Sequence, residues 1–145
     1  MSNEHYYDVS VEWTDSRRGI MKSDVLEKTI EVATPPEFPK GMEGVWSPEH
    51  LFVAAVNSCL MTTFLAIAEN STLAHNGFSS KAVGKLESRD GKYEMSEVKL
   101  MPTVVIASEA DRDRAMRILQ KAEAACLISN SIKSKIILAA EVVIG

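Results

Sequence analysis

Hydrophobic and polar positions alternate from the start of the chain. Tyr7, Val9, Val11 and Trp13 fall on one side and polar residues on the other, the period of a half-buried strand. Residues 15–19, Asp-Ser-Arg-Arg-Gly, read as a turn. A second strand is predicted over 20–24 and a third over 27–33, where Ile30 and Val32 share a face. Short spacings make these three an antiparallel meander. Pro35, Pro36, Pro39, Gly41 and Gly44 then crowd together, and such a run continues neither a strand nor a helix.

Ser47-Pro48-Glu49 is a helix start. A serine oxygen can take up free backbone N–H groups, proline suits the first helical position, and the glutamate faces the positive end of the dipole. The helix is predicted from 48 to about 70. It is apolar nearly all round, so burial on most sides is expected. Alternation returns over 81–89, and Arg89-Asp90-Gly91 marks a hairpin. A long strand is predicted over 93–107, with a bend or bulge at Pro102. Ser108 and Asp111 form a capping pair for a second helix. That helix keeps Leu119, Ala122 and Ala125 on one face and ends near Cys126. Ser129, Asn130 and Ser131 break the pattern, and a strand over 136–144 closes the chain. The order βββ-α-ββ-α-β is that of an α+β fold, a mostly antiparallel sheet wrapped on a long buried central helix.

At 145 residues the chain is long enough for one domain, 1–145, with no need of a disulfide or metal to fold. A formal charge of −4 argues against nucleic acid as a partner. The apolar stretch over 48–69 is long enough for a bilayer, but it holds Glu49, His50, Asn57, Ser58, Thr62 and Thr63. It is therefore assigned to a protein interior, and no membrane is expected. The first eight residues are polar and acidic, unlike a signal peptide, so a cytoplasmic, reducing location is expected.

In such a compartment two cysteines matter for their chemistry or simply fill space. Cys59 lies ten residues after Glu49, about 80° off alignment and ~15 Å along the helix. Its neighbours Val56, Leu60, Met61 and Thr63 suit an inert buried thiol, and so do the neighbours of Cys126. Yet both lie on helices expected to share one core. Two thiols within reach allow reversible disulfide chemistry, provided that one ionises first, which a nearby arginine favours. Arg17 and Arg18 supply candidates in the first turn, where solvated charges are the ordinary state. No CxxC or HxxxH spacing joins the cysteines to His5, His50 or His75, so no metal is expected. No cofactor motif is present either.

The run Ser47-Pro48-Glu49-His50-Leu51-Phe52-Val53-Ala54-Ala55, followed by Cys59, resembles the helix signature of the OsmC/Ohr family (osmotically induced protein C and organic hydroperoxide resistance protein). Ala125-Cys126-Leu127-Ile128-Ser129-Asn130 resembles its second cysteine motif, and Ser16-Arg17-Arg18-Gly19 resembles its arginine turn. The resemblance spans essentially the whole chain. It implies a metal-free, thiol-dependent peroxidase that reduces organic hydroperoxides or hydrogen peroxide in oxidative-stress defence. Cys59 would be the peroxidatic thiolate and Cys126 the resolving thiol. Arg17 would hold the thiolate and orient the peroxide, and Glu49 would orient Arg17. The resemblance also implies an intertwined homodimer with active sites at the interface, and a dithiol or lipoyl-type reductant. Leu127 stands where many hydroperoxidases have proline, and residues 41–46 replace a glycine-rich run, which points to a less characterised OsmC-like branch. Two other functions are open to the same fold. One is a binding module with an apolar wall of Trp46, Phe52, Met61 and Phe64. The other is a structural stress protein without chemistry.

Overall fold

The computed structural model describes residues 3–145; Met1 and Ser2 of the polar N-terminal stretch lie outside them. The backbone gathers into two compact units, one ending at Leu51 and one covering Phe52–Gly145.

The first unit is the predicted antiparallel meander. β1 (Ser10–Asp15) pairs with β2 (Arg18–Lys22), and β2 pairs with β3 (Ile30–Ala33). The turn is tighter than expected. Ser16 takes a left-handed conformation at φ 46°, and β2 resumes at once at Arg18. Gly19 is required where it stands, because a Cβ would come within 2.7 Å of the Glu12 carbonyl across the ladder. β1 differs from its expected half-burial. Every residue in it is exposed, Val11 and Trp13 included. The predicted third strand loses residues 27–29, which run outside the ladder.

α1 runs over Pro48–Asn70, as the sequence predicts. The Ser47 hydroxyl accepts the His50 amide at 3.1 Å, completing the cap. By length and composition α1 could cross a membrane. Its fully buried residues, Val56, Leu60, Phe64 and Ala68, instead form one stripe at a spacing of four. Burial on most sides is therefore not what the chain itself provides. Met61 stays 38% exposed and Leu65 39%.

The second unit holds the larger sheet. β4 (Gly77–Arg89) and β5 (Lys92–Ile106) form a long antiparallel hairpin through Asp90 and Gly91. The predicted final strand is two strands, β6 (Lys135–Leu138) and β7 (Glu141–Ile144), and both run parallel to β5. The antiparallel part of the expectation thus covers β1–β3 and the β4–β5 hairpin only. The division into β6 and β7 explains Pro102. Leu100 and Ile106 carbonyls accept from Ala139 and Gly145, so even-numbered residues of β5 face β6 and β7. Pro102 faces the break between them, where its missing N–H is not needed. The bulge expected there lies instead at Ser96, where the register with β4 shifts.

α2 (Arg112–Ala125) follows a 3₁₀ turn, Glu109–Asp111. Ser108 caps that turn by accepting the Ala110 amide at 3.3 Å. Asp111 makes no capping bond and pairs with Arg114 at 3.7 Å. One core joins the α1 stripe to Val98, Leu100, Val104 and Ile106 of β5 and to Ala115, Ile118, Leu119 and Ala122 of α2. Burying a side chain such as Leu119 contributes about 1.5–3 kcal/mol. It also fixes the end of α2, and hence Cys126, against the second half of α1.

Candidate functional site

Two helix positions of different character meet in this core. Cys59 is half-buried in the middle of α1. Cys126 is buried at the C-cap of α2, with extended backbone at φ −65° and ψ 113°. A tight turn follows it. The Asn130 amide donates to the Cys126 carbonyl at 3.0 Å, and the Asn130 side chain donates to Ala124 at 3.2 Å. The Ser131 hydroxyl donates to the Leu127 carbonyl at 2.7 Å.

That turn brings Cys126 and two backbone amides to the Cys59 sulfur. Burial pushes the Cys59 thiol up, but the Cys126 thiol, the Ile128 amide, the Thr63 hydroxyl and the Leu127 amide together bring it below the ordinary thiol value. Thr63 Oγ1 lies 3.8 Å from Cys59 Sγ, one helical turn further along α1. All four donors are neutral. Cys126 moves the other way. Burial pushes its thiol up, and so does the neighbouring Cys59, while the Ser129 hydroxyl and amide offset part of this. Ser129 Oγ is buried and has no hydrogen-bond partner among the described residues. Of the two thiols, Cys59 is thus the more easily ionised and Cys126 the less.

Arg17 and Glu49 belong to the first unit. Arg17 is exposed in the β1–β2 turn, where its carbonyl accepts the Thr34 amide at 3.3 Å. Its guanidinium makes no ion pair among the described residues. Arg18 is committed to Asp15, with Nη2 at 2.9 Å and Nε at 3.1 Å from the carboxylate. This pairing holds the Asp15 carboxyl below its usual range. Of the two arginines, Arg17 is thus the one left available. Glu49 lies in the first turn of α1, and its Oε1 is buried with no hydrogen-bond partner among the described residues. An open cleft of about 570 Å³ in this unit is lined by Val11, Trp13, Arg17, Arg18, Val32 and Pro48, among others.

His50 Nδ1 is 2.7 Å from the Ser47 hydroxyl, so this histidine belongs to the helix cap. His75 packs edge-on against Phe64. No three His, Cys, Asp or Glu side chains gather as a metal site among the described residues. Phe64 is fully buried and stacks at 5.1 Å on Phe78, so it cannot form the apolar ligand wall expected of it. From the sequence Thr63 is only a neighbour of Cys59 with no role of its own, and the two amides are not seen at all. The spacing of four between Cys59 and Thr63 was visible in the chain. Backbone donors carry no residue signature.

The OsmC-like protein family model matches residues 41–141. The uncharacterized protein YmaD of Bacillus subtilis (strain 168) is 23% identical over 139 residues, 94% of this chain and 91% of that protein. An OsmC-like protein of unknown function from Vibrio cholerae has a similar structure, with a TM-score of 0.85 and 25% identity over 94% of this chain and 99% of its own. An organic hydroperoxide resistance protein from Elizabethkingia anophelis, with thiocyanate bound, matches with a TM-score of 0.76 and 20% identity over 98% of this chain and 99% of its own, a likeness of fold.

Proposed function

Because the chain belongs to the OsmC-like family, we propose that it is a cysteine-based, thiol-dependent peroxidase for organic hydroperoxides or hydrogen peroxide, acting in oxidative-stress defence. The observation that carries this reading is the contact of the two thiols, with the Cys59 thiol lowered and the Cys126 thiol raised. An ionised Cys59 is the nucleophile, since the thiolate rather than the thiol attacks.

The reaction balances as two displacements. The Cys59 thiolate attacks the terminal oxygen of ROOH, so an S–O bond forms and the O–O bond breaks. The leaving alkoxide takes a proton and departs as an alcohol, or as water from hydrogen peroxide. Cys59 is left as a sulfenic acid, oxidised by two electrons. Cys126 then loses its proton and attacks the Cys59 sulfur. The S–S bond forms and hydroxide leaves as water. A dithiol, free or of the lipoyl type, returns both cysteines to thiols by exchange through a mixed disulfide. The Ser129 amide favours the Cys126 thiolate that this second step needs.

The resemblance further gives Arg17 the role of orienting the peroxide and Glu49 that of orienting Arg17. Two features support this assignment. Among the described residues Arg17 has no ion pair and the buried Glu49 Oε1 has no hydrogen-bond partner. Residues 1–145 would act as one domain of a soluble, cytoplasmic homodimer. The apolar side chains left exposed, Met61 and Leu65 on α1 and Trp13 on β1, support pairing with a second copy.

The test is a thiol titration before and after one equivalent of cumene hydroperoxide. Loss of two thiols per chain, restored by a dithiol, is the expected result. A second reading, a small-ligand binding module, is favoured by the open cleft of about 570 Å³ beside Arg17. It predicts that the thiol count does not change.

A further inference from the structure

We infer that Thr63 is a positioning residue for Cys59, donating its hydroxyl to the sulfur and completing a cradle of neutral donors around it. Its catalytic meaning rests on the peroxidase reading, but its geometry does not.

A helical threonine ordinarily returns its hydroxyl to the carbonyl three or four residues back. For Thr63 the carbonyl four residues back is that of Cys59. That oxygen is already taken twice, by the α-helical amide of Thr63 and by the Thr62 hydroxyl at 3.1 Å. A carbonyl has two acceptor sites, and both are filled. The Thr63 hydroxyl instead lies 3.8 Å from Cys59 Sγ. A hydroxyl both donates and accepts, so it can accept from the neutral thiol and donate to the thiolate. Ionisation reverses the direction of this bond without moving either side chain. Donation to an anion is the stronger of the two forms, so the contact favours the thiolate.

Position adds to this. The Leu127 and Ile128 amides and the Cys126 thiol reach Cys59 from the turn after α2. That turn must shift when Cys126 closes onto Cys59. Thr63 shares a helix with Cys59, and its β-branched side chain has few rotamers. It is thus the donor that stays in place through both displacements and through the reductive step.

The experiment measures the pH dependence of iodoacetamide labelling at Cys59, resolved by peptide mass spectrometry in the full-length protein. Thr63→Val, nearly the same shape without the hydroxyl, is expected to raise the midpoint by about half a unit to one unit. Thr63→Ser is expected to stay close to wild type. Thr63→Ala provides the same test if the valine does not fold. With peroxide, Thr63→Val should lower the rate at pH values below the wild-type midpoint and approach the wild-type rate well above both midpoints. A midpoint unchanged in both Thr63→Val and Thr63→Ala would overturn the inference. A shifted midpoint in a protein that consumes no peroxide would leave Thr63 in this role and remove the peroxidase reading instead.

Discussion

Cys59 lies in the middle of a long helix and Cys126 at the end of a shorter one, and the two positions treat the same thiol in opposite ways. At mid-helix every backbone amide is spent on the helix itself. A thiolate there depends on donors brought from elsewhere, and the turn after α2 brings them. At the C-terminus of α2 burial makes charge costly, and the neighbouring Cys59 adds to that cost. Ionisation is therefore easier at the residue with no backbone donors of its own, and harder at the residue beside the free amides. The turn serves its neighbour before it serves its own cysteine.

The strongest way to break this comparison is to exchange one sulfur for oxygen. Cys59→Ser should abolish peroxide consumption altogether, by at least two orders of magnitude on the scale of lost nucleophiles. Peroxide consumed in a single turnover measures it, and substantial residual consumption would move the nucleophile elsewhere. Cys126→Ser should do less. One peroxide per chain takes Cys59 to the sulfenic acid, turnover with dithiol stops, and a second peroxide takes the unresolved sulfenic acid to the sulfinic state, about 32 Da heavier than the thiol. Turnover equal to wild type would reduce Cys126 to a core residue.

The smallest effect is on stability in base, where the two cysteines should show opposite signs. Cys126 has a raised thiol, so just above the ordinary thiol value of 9.0 the unfolded chain ionises while the folded chain keeps its proton. Its contribution is present below that value and is lost as pH rises. Cys59 has a lowered thiol, so its contribution is present above 9.0 and is lost as pH falls through the folded value. Urea unfolding at pH 8 and pH 10 should show a flatter decline for Cys126→Ala than for wild type, and a steeper one for Cys59→Ala. Equal slopes in all three would mean that the two sites do not differ.

Much of this was legible in the chain, for reasons that differ by element. α1 could be bounded at Pro48 and Asn70 because a capping serine and a first-turn proline carry their own chemistry. β1 kept its period but not its burial, because alternation shows which residues share a face and not what covers that face. The parallel strands β6 and β7 were read as one, because Ala139 and Ala140 are not breakers and pairing with β5 is a long-range choice. The two cysteines were legible as a pair because the chain has no others. The resemblance named Arg17 over Arg18, but the ion pair of Arg18 with Asp15 was not legible, because it depends on the turn that aims one at the other.

The central claim is that a sulfenic acid on Cys59 is resolved by Cys126. Intact and peptide mass spectrometry after one equivalent of hydroperoxide tests it most directly. The account predicts a loss of about 2 Da per chain and a single linked pair of peptides joining Cys59 to Cys126. Unmodified thiols, or an adduct of about 16 Da persisting on Cys59 with Cys126 still free, would contradict it.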